Sequence, residues 1–444
     1  MISYSDTAGK KRTRLIIIII IELIALLICV GILLVSMSKK DRDSMELADN
    51  KTESEQSTTA EPTTTEATTE EPTTEDPQVV YERAVDERAE EILNSMSMEE
   101  KIYQLFIVTP EQLTGAPIVT QAGDATKSAL ETQPVGGIIY FAQNIVSRDQ
   151  CVEMIENTKS YAKYGLFISV DEEGGRVARV GSNSAMGTTA FPPMAEIVAL
   201  EDADRTKEAY KVGNILGTEL VELGFNLDYA PVADVNSNPN NMVIGDRSFS
   251  SDPQTAADMV AAAVHGFEDS GMLSCIKHFP GHGDTAADSH YGVAASYKTV
   301  EELEACEFLP FQAGVEAGVP CVMVGHISLP NVTGDSTPAT LSHEIVTGML
   351  REQLGYEGLI ITDSMKMQAV SSYYSSGDAS VKVIQAGIDC ILMPADLNGA
   401  VQGLQTALEN GELTEEDINE HVLRILKTKI RYGIIDLEDQ DSTA

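Results

Sequence analysis

The chain has 444 residues, 43% of them hydrophobic, which is enough to bury the core of one large domain or two modest ones. Its 69 acidic residues against 30 basic ones give a formal net charge of −39. This balance argues against a nucleic-acid-binding protein, because contacts to phosphates need clustered lysine and arginine. The six cysteines form no CxxC pair and no short metal-ligand spacing, so we expect buried free thiols rather than a disulfide framework.

The first predicted element is an apolar run from Leu15 to Val35, interrupted only by Glu22. A helix of about 20 apolar residues is long enough to cross the hydrocarbon core of a membrane. Basic residues precede the run, which favours a cytoplasmic N-terminus, although others follow it. A cleaved signal peptide is the alternative, but its apolar core would be shorter, about 7–15 residues. We therefore predict a single-pass anchor in the cell membrane, with the folded domain on the extracellular side.

A segment rich in Thr, Glu, Pro and Ser follows the anchor, from Asp41 to Gln78. It contains too few apolar residues to offset the entropy lost on ordering, and its like charges repel one another. We predict a disordered stalk that holds a folded domain away from the membrane.

After the stalk, short apolar runs alternate with helical stretches, and eight of these runs are predicted strands. They lie near Tyr103–Val108, Gly137–Phe141, Leu166–Val170, Phe225–Tyr229, Leu273–Lys277, Cys321–Val324, Leu359–Thr362 and Cys390–Met393. This alternation favours an α/β fold with a (β/α)8 barrel of the TIM type, and an open doubly wound sheet is the alternative. The predicted segments are 1–14 (cytoplasmic), 15–35 (transmembrane helix), 36–80 (stalk), 81–436 (a single barrel domain) and 437–444 (acidic tail).

Polar residues follow several of these strands, at the end where a barrel carries its functional groups. His278, His282 and His290 fall within one short segment. A zinc site is one interpretation, because the first two are four residues apart, but the Phe-Pro-Gly sequence between them disfavours a regular helix. Acid/base chemistry is the other, because Asp288 stands two residues before His290 and a carboxylate beside an imidazole orients it for proton transfer.

Four motifs in order along the chain carry a family resemblance. They are Asp171–Val177, Gly245–Phe249, Lys277–His290 and Thr362–Met365. Together they resemble glycoside hydrolase family 3, and within it the β-N-acetylglucosaminidase (β-hexosaminidase) branch, over roughly residues 85–435. The resemblance implies a barrel, a carbohydrate substrate and a retaining mechanism through a covalent glycosyl-enzyme. The family usually has Gln where Glu172 stands, which leaves the hydrogen bonds of that position open.

The resemblance also implies roles for individual residues. Asp363 would be the nucleophile, and its position directly after a predicted strand favours this independently. His290 would be the general acid/base, with Asp288 as its partner. The implied sugar-binding residues are Asp171, Arg247, Lys277 and His278.

Three of the four binding assignments have a structural alternative. Asp171 could cap the following turn, Arg247 could pair with Asp246, and Lys277 could form an ion pair inside the barrel. Several further polar residues stay without a predicted role in the chemistry: Asp228 and Asp234, which could satisfy backbone donors, His282, which could shape its loop, and His326, which could line the pocket or be a core histidine.

We expect a monomeric exo-acting hydrolase that removes terminal β-linked N-acetylglucosamine, with peptidoglycan fragments as its substrate. We expect no metal and no other cofactor, and the partners would be the glycan and, through the anchor, the membrane. The alternatives are a β-glycoside phosphorylase, a β-glucosidase-like specificity and a non-catalytic cell-wall binding module.

Overall fold

The computed structural model of the protein describes residues 75–199, 204–285 and 294–438, all of which belong to one compact unit. The predicted transmembrane helix, nearly all of the stalk and the predicted pair Asp288 and His290 lie outside the described residues. The described part of the chain contains no helix that is both long and apolar enough to cross a membrane.

The strands confirm the predicted α/β class. In chain order they are β1 (Phe106–Val108), β2 (Gly137–Ile139), β3 (Phe167–Val170), β4 (Glu172–Gly174), β5 (Val177–Ala178), β6 (Leu227–Asp228), β7 (Leu273–Phe279), β8 (Ala294–Ala295), β9 (Cys321–Val324), β10 (Ile327–Ser328), β11 (Leu359–Thr362) and β12 (Ile391–Leu392). Eight of them form one parallel sheet in the order β11-β9-β7-β6-β3-β2-β1-β12. A parallel bridge between Ile361 and Cys390 joins the two ends of this order, as a TIM-type barrel requires.

The helices fill the connections between these strands and form the outer layer of the barrel. In chain order they are α1 (Pro77–Ser95), α2 (Met98–Gln104), α3 (Pro110–Thr114), α4 (Asp124–Thr132), α5 (Arg148–Ser160), α6 (Met194–Val198), α7 (Arg205–Glu222), α8 (Pro253–Asp269), α9 (Val300–Glu304), α10 (Phe308–Glu316), α11 (Pro330–Thr333), α12 (Gln368–Ser371), α13 (Ser376–Ala386), α14 (Leu397–Asn410) and α15 (Glu415–Arg431). A π-helix, Glu344–Gln353, lies between β10 and β11. Because helices cover the outside, the barrel strands are buried on both faces, which explains their continuous apolar runs.

All eight predicted barrel strands are present, and two of the differences in boundaries have a clear physical cause. The first strand was expected from Tyr103, yet Ser97 and Glu100 form a capping box that starts α2, and this helix runs through Gln104. The barrel domain was expected from residue 81, yet α1 begins at Pro77, because Asp76 caps it and Pro suits the first turn. Helix α1 then packs along α15 at the other end of the domain, so it belongs to the barrel unit rather than to the stalk.

A buried carboxylate ties several elements together where the two ends of the sheet meet. Asp389, one residue before the bridging Cys390, accepts a hydrogen bond of 2.9 Å from the backbone N–H of Ile360 in β11. It also contacts Arg351 of the π-helix at 2.7 Å, and Arg424 and His421 of α15 at 2.7 and 2.8 Å. Burial alone would raise the pKa of Asp389, but the hydrogen bond from His421 and the two guanidinium groups hold it well below its usual range.

The predicted buried thiols are confirmed within the described residues, where Cys151, Cys275, Cys321 and Cys390 are free and buried and Cys306 is free and half-buried.

Candidate active site

A cavity of about 550 Å³ opens at the C-terminal ends of the barrel strands. This is the end of a TIM-type barrel where functional groups gather, because loops after several strands meet there. Five of the predicted site residues line it together: Asp171, Arg247, Lys277, His278 and Asp363.

The cavity wall has two chemically different sides. The charged side comes from β4, β7 and the segments that follow β3, β5 and β6, and its charged or titratable residues include Asp171, Glu173, Arg179, Arg247, Lys277 and His278. The apolar side comes from β2, β9, β12 and the segments that follow β2, β11 and β12, and its apolar residues are Ile139, Phe141, Met323, Met367, Leu392 and Met393. The segment after β11 also brings the polar residues Asp363, Ser364, Lys366 and Gln368 to this side.

Lys277 is the central cation of the charged side, at the end of β7. Its Nζ lies 2.7 Å from Asp171 and 2.6 Å from Glu173, and the residue is only 2% exposed. Burial alone would lower the pKa of Lys277, but the two carboxylates raise it above its usual range, so the ammonium stays charged. The barrel-interior ion pair considered for Lys277 therefore exists, and it forms part of the cavity wall.

Glu173 joins Lys277 to Arg247, because the guanidinium of Arg247 donates two hydrogen bonds of 2.8 Å to its carboxylate. Burial would raise the pKa of Glu173, but the two cations hold it below its usual range. Asp246, the alternative partner of Arg247, pairs with Arg176 at 3.1 Å instead. Arg247 is therefore turned towards the cavity, which agrees with its predicted placement.

Arg179 and Glu173 are site residues that the sequence interpretation missed. The β4–β5 hairpin turns the chain back, so Arg179 returns to within 3.8 Å of Asp171 and lies over the ring of Phe141 at 5.7 Å. The signal for Glu173 was its spacing: it stands two residues after Asp171, and alternate residues of an extended chain share a face.

Glu172 faces the other way, which settles where its hydrogen bonds go. Its carboxylate accepts from the backbone N–H of Val180 at 2.7 Å and of Gly181 at 3.0 Å. Its own backbone N–H donates to Asp228 at 2.9 Å. Burial raises the pKa of both carboxyl groups, that of Asp228 strongly. Both residues hold the backbone beside Asp171 and do not line the cavity.

Asp234 stands directly behind His278, and His282, which also lines the cavity, lies beside both. The carboxylate of Asp234 lies 2.7 Å from Nδ1 of His278 and accepts a hydrogen bond of 2.6 Å from the backbone N–H of His282. The two imidazole rings meet edge to face with centroids 6.0 Å apart. Nδ1 of His282 lies 2.7 Å from the hydroxyl of Thr285, and burial lowers the pKa of this ring.

Asp363 follows β11, as the sequence predicted, and its carboxylate accepts a hydrogen bond of 2.6 Å from the backbone N–H of Ser364. Burial alone would raise the pKa of Asp363, but His278, His326 and this N–H lower it below its usual range. His326 is buried behind it, with its ring nitrogens 2.8 Å from the Thr340 hydroxyl and 2.9 Å from the Ser364 carbonyl. Asp363 is thus held as an anion at the cavity wall.

The predicted acid/base pair lies outside the described residues, but the residues that flank it are described. Thr285 donates to the backbone carbonyl of His282 at 2.9 Å. On the other side, Ala294 begins β8, which pairs with β10. Residues 75–199, 204–285 and 294–438 contain no group of three or more His, Cys, Asp or Glu suited to a metal ion.

The arrangement can bind a polyhydroxylated ligand and attack it. Carboxylates, guanidinium groups and an ammonium group offer acceptors and donors for sugar hydroxyls, and charge-assisted hydrogen bonds are about twice as strong as neutral ones. A nearby anionic Asp363 offers a nucleophile of the kind that retaining glycosidases use.

Comparison with known proteins agrees with this chemistry. The family description "Glycosyl hydrolase family 3 N terminal domain" matches residues 97–428. This chain belongs to glycosyl hydrolase family 3. Beta-hexosaminidase A of Pseudoalteromonas piscicida is 37% identical over 336 residues, which cover 70% of this chain and 56% of that protein. The beta-hexosaminidase of Idiomarina loihiensis is 32% identical over 313 residues, which cover 70% of this chain and 91% of that protein.

Two solved structures extend the likeness to the fold. A family 3 β-N-acetylglucosaminidase from a Paenibacillus species is 34% identical with a TM-score of 0.71, covering 76% of this chain and 63% of that one. A β-glucoside phosphorylase is 26% identical with a TM-score of 0.69, covering 80% of this chain and 63% of that one. The chain therefore spans little more than half of the first relative and less than two thirds of both solved chains.

Proposed function

We propose that this family 3 chain is a retaining exo-β-N-acetylglucosaminidase that removes terminal β-linked N-acetylhexosamine. The observation that carries the proposal is the anionic Asp363 in a cavity whose facing wall is built from buried, fully paired charges. The likeness to proteins named β-hexosaminidase and β-N-acetylglucosaminidase supports the choice of sugar.

In the first step, a carboxylate oxygen of Asp363 forms a bond to the anomeric carbon of the terminal sugar. The bond from that carbon to the leaving oxygen breaks, and His290, oriented by Asp288, gives its proton to the leaving oxygen. In the second step, water attacks the anomeric carbon, the bond to Asp363 breaks, and His290 takes the proton of the water. Two displacements at one carbon retain its configuration.

The charged side would hold the sugar during both steps. Asp171, Arg247, Lys277 and His278 converge on one wall of the cavity, and Arg179 joins them there. Because Lys277 and Arg247 are already fixed by Glu173, little side-chain entropy remains to be lost when a sugar binds.

A screen of chromogenic β-glycosides, run with and without inorganic phosphate, tests the proposal. We expect the N-acetylglucosaminide to be cleaved faster than the glucoside or xyloside, with free sugar as the product in both buffers. Phosphorolysis is the second candidate, supported by the likeness to the β-glucoside phosphorylase. Sugar 1-phosphate as the main product would establish it, and no turnover of any glycoside would favour a binding module.

The role of His290 predicts a dependence on the leaving group. In His290→Ala, turnover of a natural disaccharide should fall by about 10²–10⁴-fold, because its leaving alkoxide needs a proton. The leaving group of an activated nitrophenyl glycoside needs little protonation, so the rate of glycosyl-enzyme formation from it should fall far less. Equal losses on both substrates would contradict the acid/base role.

Peptidoglycan fragments outside the cell are the substrate that we propose from the predicted anchor and stalk. Protease treatment of whole cells should release or degrade the catalytic domain, whereas a cytoplasmic enzyme control stays intact. Protection of the domain would contradict an extracellular location. Sedimentation of the detergent-solubilised chain should give the mass of a monomer.

A further inference from the structure

Asp234 stands behind the cavity wall, and the reaction proposed above gives it no role. We propose that Asp234 is a positioning residue, which keeps the hydrogen of the His278 ring on Nδ1 and so presents Nε2 to the cavity as an acceptor for a sugar hydroxyl. The acceptor role rests on the proposed function, whereas the position of the hydrogen does not.

The contacts of Asp234 fix the hydrogen. Its Oδ1 accepts from the backbone N–H of His282 at 2.6 Å, and its Oδ2 lies 2.7 Å from Nδ1 of His278. Both oxygens also lie 3.3 Å from the backbone N–H of His278. An ionised carboxylate only accepts, so the contact with the ring is a hydrogen bond only when Nδ1 carries the hydrogen.

Asp234 remains ionised although it is 1% exposed. Burial alone would raise the pKa of its carboxyl group, but His278 and His282, which both donate hydrogen bonds to it, lower it below its usual range. The buried anion is therefore stabilised by the N–H donors around it. A hydrogen bond to an ionised carboxylate is strong, so Asp234 strongly favours a hydrogen on Nδ1 of His278.

The other ring nitrogen then has its lone pair available. His278 lines the cavity, and because Nδ1 is turned to Asp234, Nε2 is on the opposite edge of the ring. Its contact with Nη2 of Arg247 is long, at 3.5 Å. Lys277 and Arg247 offer only donors on this wall, so Nε2 adds an acceptor for a hydroxyl hydrogen.

The surrounding backbone explains why the carboxylate is placed so well. The backbone N–H of Ala233 donates to the carbonyl of Lys277 at 2.7 Å, and Val232 pairs with Lys277 in a parallel bridge. The hydroxyl of Ser248 also donates to the Asp234 carbonyl at 2.6 Å. The residues just before Asp234 are bonded to β7, and the Asp234 carbonyl is bonded to Ser248, so the backbone of Asp234 is fixed beside β7.

Replacement of Asp234 by Asn gives a definite chemical conflict. The amide has one acceptor where the carboxylate has two. If its oxygen keeps the N–H of His282, its NH2 group faces Nδ1 of His278 and forces the ring hydrogen onto Nε2. Nε2 would then point a second donor at Arg247.

Nitrogen-15 NMR of the full-length protein, labelled at histidine, tests this directly. The His278 signals are identified by their loss in His278→Gln. We expect Nδ1–H in the wild type and a shift to Nε2–H in Asp234→Asn. Asp228→Asn is the matched control, because that buried carboxyl has a strongly raised pKa and an oxygen with no hydrogen-bond partner among the described residues. Nε2–H in the wild type, a doubly protonated ring at neutral pH, or the same tautomer in Asp234→Asn would overturn the proposal.

Kinetics with the chromogenic N-acetylglucosaminide separate positioning from folding. Asp234→Asn should lower kcat/KM roughly 10- to 100-fold, and Asp228→Asn should change it little. In a His278→Ala background the Asp234→Asn loss should shrink to about 3-fold or less, because the residue acts through the missing ring. A full, additive loss there would contradict the positioning role. No wild-type turnover of any glycoside would refute the proposed function, while the NMR result would still decide the tautomer.

Discussion

The two sides of the cavity use opposite means to fix their side chains. On the charged side, Asp171 and Glu173 are locked in ion pairs with Lys277 and Arg247, whereas the apolar side is fixed by packing. Asp363 follows β11, between the strands that build the apolar side, and among the described residues it has no ion pair. As the proposed nucleophile, Asp363 gains from this separation, because His278, His326 and Lys277 lower its pKa without forming an ion pair with its oxygens.

The largest effect is expected at that carboxylate. Asp363→Ala should lower kcat by about 10³-fold or more, because the glycosyl-enzyme has no atom to form on. Steady-state rates on the N-acetylglucosaminide measure the loss, and thermal unfolding provides the control. A wild-type rate in a folded variant would mean that the nucleophile is another residue, and the contrast between Asp363 and the ion-paired carboxylates would then have no bearing on catalysis.

The next effect tests the locked carboxylates. Glu173→Gln removes the anion shared by Lys277 and Arg247, so the free energy of unfolding should fall by about 3–5 kcal/mol, the usual result of breaking a buried ion pair. Glu172→Gln is the control, since its carboxylate meets backbone N–H groups rather than cations, and should cost only about 1 kcal/mol. Denaturant titration measures the free energy of unfolding of both variants. Equal losses of stability would show that the ion pairs do not fix the charged side of the cavity.

The pH profile sharpens the contrast between the two kinds of carboxylate. In the proposed mechanism the ionised form of Asp363 is the active one, so its lowered pKa places its own limb of the kcat/KM profile below the usual range of aspartate. His278→Gln removes the neighbouring imidazole, so the acid limb should move to higher pH. Rates measured from pH 7 downwards, with wild type and variant in parallel, give the comparison. An acid limb that stays in place would show that His278 does not act on Asp363.

The smallest effect is expected where the two sides meet. Phe141 belongs to the apolar side, and the guanidinium of Arg179 lies over its ring. Phe141→Leu should raise KM about 3- to 5-fold with little change in kcat, because a cation–π contact at a partly exposed site contributes about 0.5–1 kcal/mol. A large fall in kcat instead would place Phe141 in the chemistry.

The sequence predicted the barrel well because parallel barrel strands are buried on both faces and stand out as apolar runs. It also predicted Asp171, Arg247, Lys277, His278 and Asp363 at one cavity, from their motifs and strand ends. Asp234 and Arg179 could not be found in this way, because their roles depend on contacts across 44 residues and on the turn of a hairpin. Glu172 and Glu173 show the same limit. Glu172 accepts hydrogen bonds from backbone N–H groups, whereas Glu173 pairs with two cations in the cavity wall, and the sequence does not show which of the two neighbouring side chains faces the cavity.

The carboxylate of Asp389 has a consequence for synthesis of the chain. The barrel closes between β11 and β12, next to Asp363. Two of the groups that neutralise Asp389 at this closure, His421 and Arg424, come from α15. Without α15 the carboxylate would lose His421 and Arg424, and an underpaired buried charge is strongly destabilising. We therefore expect the nascent protein to remain open beside Asp363 until α15 has left the ribosome, so that the cavity forms only as the whole domain is completed.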